Sequence, residues 1–372
     1  MTSPAIATPG PAAPEPNEID YSNQGDRFVE LARRVRRAGL LEPRNAYYLA
    51  KIPLNLLVLV AIWALVLLVG DSWWQLAVAL LLAFWYGQTG FVGHDLGHGQ
   101  VTRSRRWMST LGMLHGNLLM GFSYGWWVGH HNKHHSHPNH LERDSDITRR
   151  RVIFIPVQGP TRKGAVKQFI VRHQHALFIP LLTTESIGMR IASFKAVGAR
   201  GLRRPLLEAV IIAFHVVFYL ALILSAMSPG KAVVFILVHQ LAFGLYIGMA
   251  FAPNHKGMPI QMPGEEWDWL TRQVRTARNI RSSRLTDFLY GGLNYQIEHH
   301  LFPAMPRTNL RRVRPMVMAY CREQGIPYHE VSLWRSYVEV LGHLRRTTRA
   351  YQAQAAARAA VDAAALDASV PR

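Results

Sequence analysis

Apolar and polar residues fall along this chain in long blocks. Residues 52–70 and 75–92 are apolar runs without a charge, separated only by Asp71-Ser72-Trp73-Trp74. Residues 206–227 and 232–251 repeat the arrangement around Ser228-Pro229-Gly230-Lys231. At a rise of ~1.5 Å per residue, about 19 residues cover the hydrocarbon core of a bilayer. The pattern therefore predicts an all-α integral membrane protein whose four spans pair through two short turns.

The remaining blocks predict less regular elements. Residues 26–41 place Phe28, Leu31, Ala32 and Val35 on one stripe with Arg33, Arg34, Arg36 and Arg37 around it. That suits a helix lying on lipid headgroups or one packed on the protein. Residues 108–128 are apolar but broken by Gly, Ser, His115 and Asn117, which reads as a re-entrant or interfacial segment. Residues 148–204 read as a long, basic, mostly polar connection with apolar patches such as 176–182. Residues 1–25, rich in Pro and Ala, are expected to be a disordered tail. The Ala-rich 346–372 reads as frayed helix or disorder, leaving 26–345 as the single working domain.

Charge turns four spans into a topology. Lys and Arg number 42 against 23 Asp and Glu, for a net charge of +19. Such an excess fits either nucleic acid or an anionic membrane surface, and the spans decide for the membrane, with no nucleic-acid partner. The mean hydropathy of +0.02 averages apolar spans with strongly basic connections. The two short turns hold one Lys between them, Lys231. By the positive-inside rule, both termini and the central connection lie in the cytoplasm of a multi-pass plasma (inner) membrane protein. Residues 1–20 lack a basic start followed by an apolar core, so the first span is expected to stay as an anchor. Cys321 is the only cysteine, which excludes an intrachain disulfide and thiolate metal sites within this polypeptide. A bound metal must then be held by nitrogen and oxygen.

The candidate chemistry sits in His131-Asn132-Lys133-His134-His135. Residues three and four apart share one helix face, so three imidazoles are expected to aim at a single point. His94 and His98 form an i, i+4 pair, and Gln296, His299 and His300 repeat the i, i+3, i+4 spacing. His255 leaves the fourth span at the same cytoplasmic level and makes an eighth histidine. A structural zinc is satisfied by four ligands, so eight or nine nitrogen-rich ligands imply two metals with open positions. Asp95, Asp144, Asp146 and Glu298 are expected to orient imidazoles from behind. Gln296 is either a weak ligand or a hydrogen-bonding partner. His130, His137 and His140 lie off the main face. His115, His173, His175, His329 and His343 read as surface or interfacial residues, and His215 and His239 as costly groups inside spans.

With these residues in place, the chain resembles the membrane fatty acid desaturase family. The likeness rests on three histidine boxes, HDLGH, HNKHH and QIEHH, with the flanking GFSYGWWVGHHNKHHSHPN and LNYQIEHHLFPAMPR, and runs from about Phe28 to about Tyr328. Glutamine opening the third box resembles the front-end branch, whose members place a double bond toward the carboxyl end of the acyl chain. The resemblance implies two iron ions, dioxygen as co-substrate, and two electrons per double bond. Carried over by position, the ligands and catalytic residues would be His94, His98, His131, His134, His135, His255, His299 and His300, with Gln296 where some relatives have His. It also implies that Asn254 holds a metal-bound water. No His-Pro-Gly-Gly heme motif occurs here, so the expected electron donor is a separate ferredoxin, flavoprotein or cytochrome. The substrate class implied is a membrane-associated acyl chain, as acyl-CoA or acyl-lipid. The rival readings are a histidine-box hydroxylase or ketolase acting on alkane, sterol or carotenoid, and a membrane metal transporter.

Overall fold

The computed structural model describes residues 25–148, 152–161, 164–199 and 201–368, leaving the expected N-terminal tail outside the described residues. Four helices are long and apolar enough to cross a membrane: α2 (Asn45–Val69), α3 (Gln75–Gly97), α9 (Pro205–Ala226) and α10 (Pro229–His255). Each matches one of the apolar runs. Each also extends beyond its run at the histidine-bearing end, and α3 and α10 by this means carry His94 and His255 above the apolar layer. Leu49, Leu57 and Leu68 on α2, and Leu206, Val210, Phe214 and Val217 on α9, face outward as a large apolar surface. A surface of that extent calls for lipid.

The two short turns meet on the side away from the histidines. Asp71 Oδ1 accepts from both the backbone N and Oγ of Ser228 at 2.9 Å, and Lys231 Nζ donates to the Asp71 carbonyl at 2.8 Å. The two hairpins are thereby pinned together at their far end. Inside, α3 and α10 pack along their length around Tyr86, Phe243 and Ile247.

The segment between the second and third spans is more regular than its sequence pattern suggests. Residues 108–128 form α4 (Arg105–Met113), a π-helical turn (Leu114–Leu119) and the start of α5 (Tyr124–Ser136). Gly121, at φ 69°, supplies the left-handed turn between them. After a short α6 (Ser145–Thr148), the expected polar connection contains α7 (Ala165–Leu182) and α8 (Glu185–Val197). Their outward residues, Val166, Phe169, Ile187, Ile191 and Phe194, are exposed. Basic residues interleaved with this apolar stripe hide the helical period in a linear reading, yet suit helices lying along a bilayer.

A helical cap covers the histidine end. It comprises α11 (Trp269–Arg275), α12 (Arg284–Leu289), α13 (Gln296–Leu301), α14 (Arg307–Glu323) and α15 (Leu333–Ala368). Two short strands, β1 (Asn279–Ile280) and β2 (Glu330–Val331), pair in parallel within it. The amphipathic α1 (Asp26–Arg37) buries Phe28, Leu31, Ala32 and Val35 against Ile297, Leu301 and Phe302 of the cap. Of its two expected roles, α1 takes the protein-packed one and backs the third histidine box. α15 passes through residue 346 without a break.

Candidate metal centre

Two helices and the ends of two others converge on one buried volume. His94 and His98 close α3, His131, His134 and His135 line the second half of α5, His255 closes α10, and His299 and His300 sit on α13. Ring nitrogens fall into two groups, each with all ligand atoms within 4.8 Å of one another. The first holds His94, His98, His131 and His299; the second holds His134, His255 and His300, with His134 also beside Asp144 and Asp146.

The box on α5 does not aim at a single point. Four residues advance a helix by about 40° past a full turn, whereas three fall about 60° short. Accordingly, His131 and His135 have rings 4.6 Å apart with Nε2 atoms at 3.1 Å, while His131 and His134 are separated by 6.0 Å and join different groups. His135 lies between the groups, its ring 4.5 Å from His98 and stacked 4.1 Å from His300.

The second group shows why these imidazoles suit a cation. His255 Nδ1 donates to the Thr276 carbonyl at 2.9 Å, and His300 Nδ1 to Gln273 Oε1 at 2.9 Å. His134 Nδ1 meets Asp144 Oδ2 at 3.0 Å. On His255 and His300 the outward nitrogen therefore carries the proton of a neutral ring, and on all three rings Nε2 turns inward. Those atoms lie 3.2 Å (His134 to His255) and 3.0 Å (His255 to His300) apart. Lone pairs facing at that distance repel unless a positive ion sits among them, and ~2.0–2.1 Å metal–nitrogen bonds require such spacing. In the first group the Nε2 atoms of His98 and His299 are buried without a partner among the described residues. The donor set fits a pair of metal ions.

Electrostatics keep most of these rings unprotonated. Burial, followed by repulsion from neighbouring imidazoles, holds His131, His135, His299 and His300 well below the ordinary histidine range, and brings His98 to about 3. His134 differs: burial lowers it, but Asp144 and Asp146 outweigh that and raise it. Asp144 also accepts from the backbone N of Asn139 and of Asp146, both at 2.8 Å.

The other acids divide by function. Asp146 reaches His130 Nε2 at 3.1 Å. Asp95 lies 3.8 Å from His94 Nδ1, too far for a hydrogen bond; its closer partners are Arg307 and, at 3.0 Å, the Tyr48 hydroxyl. Glu298 points away from the imidazoles and accepts from Asn279 Nδ2 and Tyr328 Oη, each at 2.7 Å. Its burial raises the carboxyl to about 7 against those hydrogen bonds. Asp95 and Glu298 thus anchor helices, whereas the sequence suggested that they orient imidazoles. The reason is that box residues at other helical angles face the cap. His115 is a further correction: it is fully buried, with Nδ1 donating to Leu111 O at 2.8 Å.

Gln296 Nε2 lies 2.9 Å from His255 Nε2, and its Oε1 accepts from Asn254 Nδ2 at 3.0 Å. Asn254 Oδ1 is buried without a partner among the described residues. Gln273 and Thr276 on and after α11 escape sequence reading, because a glutamine between unrelated residues carries no periodic signal.

Beside the first group, against His94, lies a small apolar cavity of about 60 Å³. Its wall includes His94, Gly90, Gly116, Tyr124, Trp127 and Phe243. The Trp127 ring stacks on His131 at 4.6 Å, and a Cβ at Gly97 would collide with it. The glycine inside HDLGH is therefore the position that lets α5 approach α3.

Comparison with known proteins agrees with this geometry. Residues 71–332 match the fatty acid desaturase family profile. The chain is 31% identical to the Delta(6)-fatty-acid desaturase fat-3 of Caenorhabditis elegans, covering 89% of this chain and 77% of the relative. It is 30% identical to fatty acid desaturase 3 of Bos taurus, over 91% and 77%. It is 29% identical to an acyl-lipid (9-3)-desaturase of Physcomitrium patens over 87% of this chain, and spans 63% of that relative's length.

Proposed function

This chain belongs to the fatty acid desaturase family, and from that premise we propose that it is an oxidoreductase introducing a cis double bond into a membrane-associated acyl chain. The observation that carries the reading is the pair of imidazole groups, ring nitrogens turned inward, beside an apolar cavity that His94 lines. His94, His98, His131 and His299 would hold one iron, and His134, His255 and His300 the other, with His135 between them and Gln296 and Asn254 beside the second. Bound iron would supply the redox chemistry, using dioxygen and two electrons from a separate ferredoxin, flavoprotein or cytochrome.

The chain's own residues do the rest. The cavity takes the acyl chain and excludes water, while the polar head, of an acyl-CoA or acyl-lipid, stays at the basic face. Fixing the chain against His94 selects among chemically alike methylenes. Asp144, the Thr276 carbonyl and Gln273 hold the Nδ1 protons of His134, His255 and His300, which keeps each Nε2 free to ligate. Residues 26–345 form the proposed desaturase domain. The basic connections support, by the positive-inside rule, a histidine end on the cytoplasmic side of the plasma (inner) membrane.

Expression in a host that supplies electrons, followed by analysis of fatty acid methyl esters, tests the reading. The wild type should yield a new double bond, with two iron ions per chain in purified protein, and His134→Ala should yield none. An added oxygen in place of a double bond would favour the hydroxylase reading, and a single zinc would overturn the iron assignment.

A further inference from the structure

One buried carboxylate has no place in the chemistry above. Glu208, in the first turn of α9, is 4% exposed. Its Oε2 accepts from Ser123 Oγ at 2.6 Å, Asn117 Nδ2 at 3.1 Å and the backbone N of Gly125 at 3.3 Å. Ser123 and Asn117 are themselves fully buried. Ser123 Oγ also accepts from the backbone N of Trp126 at 3.1 Å and so caps α5, while Asn117 Oδ1 accepts from the backbone N of Tyr124 at 3.2 Å.

These bonds join three elements through one anion. Asn117 belongs to the π-helical turn, Ser123 closes the loop after it, and Gly125 lies in the first turn of α5. The positive end of the α5 dipole favours a negative charge at that place. A Cβ at Gly125 would strike Glu208, so the glycine is what admits the carboxylate.

The same stretch forms a wall of the acyl cavity. Gly116, Met120, Phe122, Ser123, Tyr124 and Trp127 all line it, opposite α3 and α10. A π turn carries one more residue per turn than an α-helix, and such turns persist where surrounding contacts hold them. Releasing it would let the wall slide by a residue relative to His94.

Resting on the desaturase reading, we infer that Glu208 is a positioning residue that fixes the register of the cavity wall, and thereby which carbon of the acyl chain is presented for dehydrogenation. Methylenes along a chain differ little in reactivity, so the choice among them depends on placement alone. A shift near 1 Å alters reaction rates by up to about 10²-fold. In Glu208→Gln the amide oxygen can take the place of Oε2 but is a weaker acceptor than a carboxylate oxygen for the bonds from Ser123, Asn117 and Gly125, which loosens the wall without removing its volume. Ser123→Ala removes the shortest of the three bonds and leaves the carboxylate in place.

The test uses the full chain in an electron-supplying host, locating every double bond and measuring iron in the purified protein. Glu208→Gln should keep wild-type iron content while the share of product with the double bond displaced to neighbouring positions rises about fivefold or more, with an increased KM. Ser123→Ala should shift the distribution in the same direction by less, which keeps the inference testable should Glu208→Gln fail to fold. Unchanged positions with a lower total would reduce Glu208 to a structural prop and overturn the inference, as would iron loss in both variants. Wild-type protein that holds iron yet makes no double bond would remove the desaturase reading and this inference together, an outcome recognisable without any variant.

Discussion

The two imidazole groups of the metal centre are supported in different ways. In the second group the rings of His134, His255 and His300 are fixed from behind by Asp144, the Thr276 carbonyl and Gln273, at 2.9–3.0 Å. In the first group Asp95 stands 3.8 Å from His94, and packing takes the place of hydrogen bonds. Trp127 stacks on His131, and His94 and His98 lie edge to face at 4.6 Å. Hydrogen bonds set both the tautomer and the angle of a ring, whereas packing sets only its position. The rings of the second group are thus fixed in tautomer and angle, those of the first mainly in position.

Removing the charge behind His134 should separate the groups most sharply. Asp144→Asn places an amide N–H against one of three donors, His134 Nδ1 or the backbone N of Asn139 or Asp146. Support of this type is worth about 10–100-fold in metal affinity. Iron should fall from two per chain toward one as chelator concentration rises, with double-bond formation lost alongside the first iron. Equal loss of both irons would show that the groups are one unit.

A milder change probes the same side. Gln273→Ala removes the acceptor for His300 Nδ1 and the Nε2 donor that meets the His135 carbonyl at 3.0 Å. The expected loss in affinity is about tenfold, at the low end of the range for such partners, read by the same chelator titration. The packed group should respond less still. Trp127→Ala should weaken iron binding about threefold, consistent with an aromatic pair worth ~0.5–1.5 kcal/mol, while Trp127→Phe should keep wild-type affinity. A tenfold loss with Trp127→Ala would mean that packing fixes ligands as firmly as hydrogen bonds do.

The parts legible in the sequence are those with a period. Spans, boxes and the stripe of α1 repeat at helical spacing, so their residues announce a shared face before any tertiary contact is known. The division of the α5 box between two groups was legible in principle, since 131 and 134 differ by 60° on the helix. It required knowing that a second cluster lay on each side. Gln273, Thr276 and Glu208 carry no such mark. Each acts because a distant segment arrives beside it, 27 residues on for His300 and 85 back for Ser123. α7 and α8 were hidden for another reason: Lys167, Arg172, Arg190 and Lys195 interrupt their apolar residues, so neither shows a long apolar run.

The smallest expected effect lies furthest from the rings and tests whether the firm group is also braced by the cap. Arg278 is fully buried, donating from Nε to the Pro253 carbonyl at 2.8 Å just before His255, and pairing through Nη1 with Glu339 of α15 at 2.7 Å. Burial works to raise the Glu339 carboxyl, but hydrogen bonds from His329, Arg335 and Arg278 prevail and hold it at about 2. A carboxylate depressed in the folded state contributes stability that is present in full above its unfolded value, near 4.5. That contribution is lost as pH falls from there through about 2. Because Glu339 is partly solvated, screening leaves the contribution at about 1 kcal/mol. Thermal unfolding in detergent should show wild-type protein losing more stability between pH 5 and pH 3 than Glu339→Gln does. The variant should sit about 1 kcal/mol lower at neutral pH, with iron affinity in the second group reduced by less than in Gln273→Ala. Parallel pH profiles for the two proteins would detach α15 from the support of His255 and leave that ring resting on the Thr276 carbonyl.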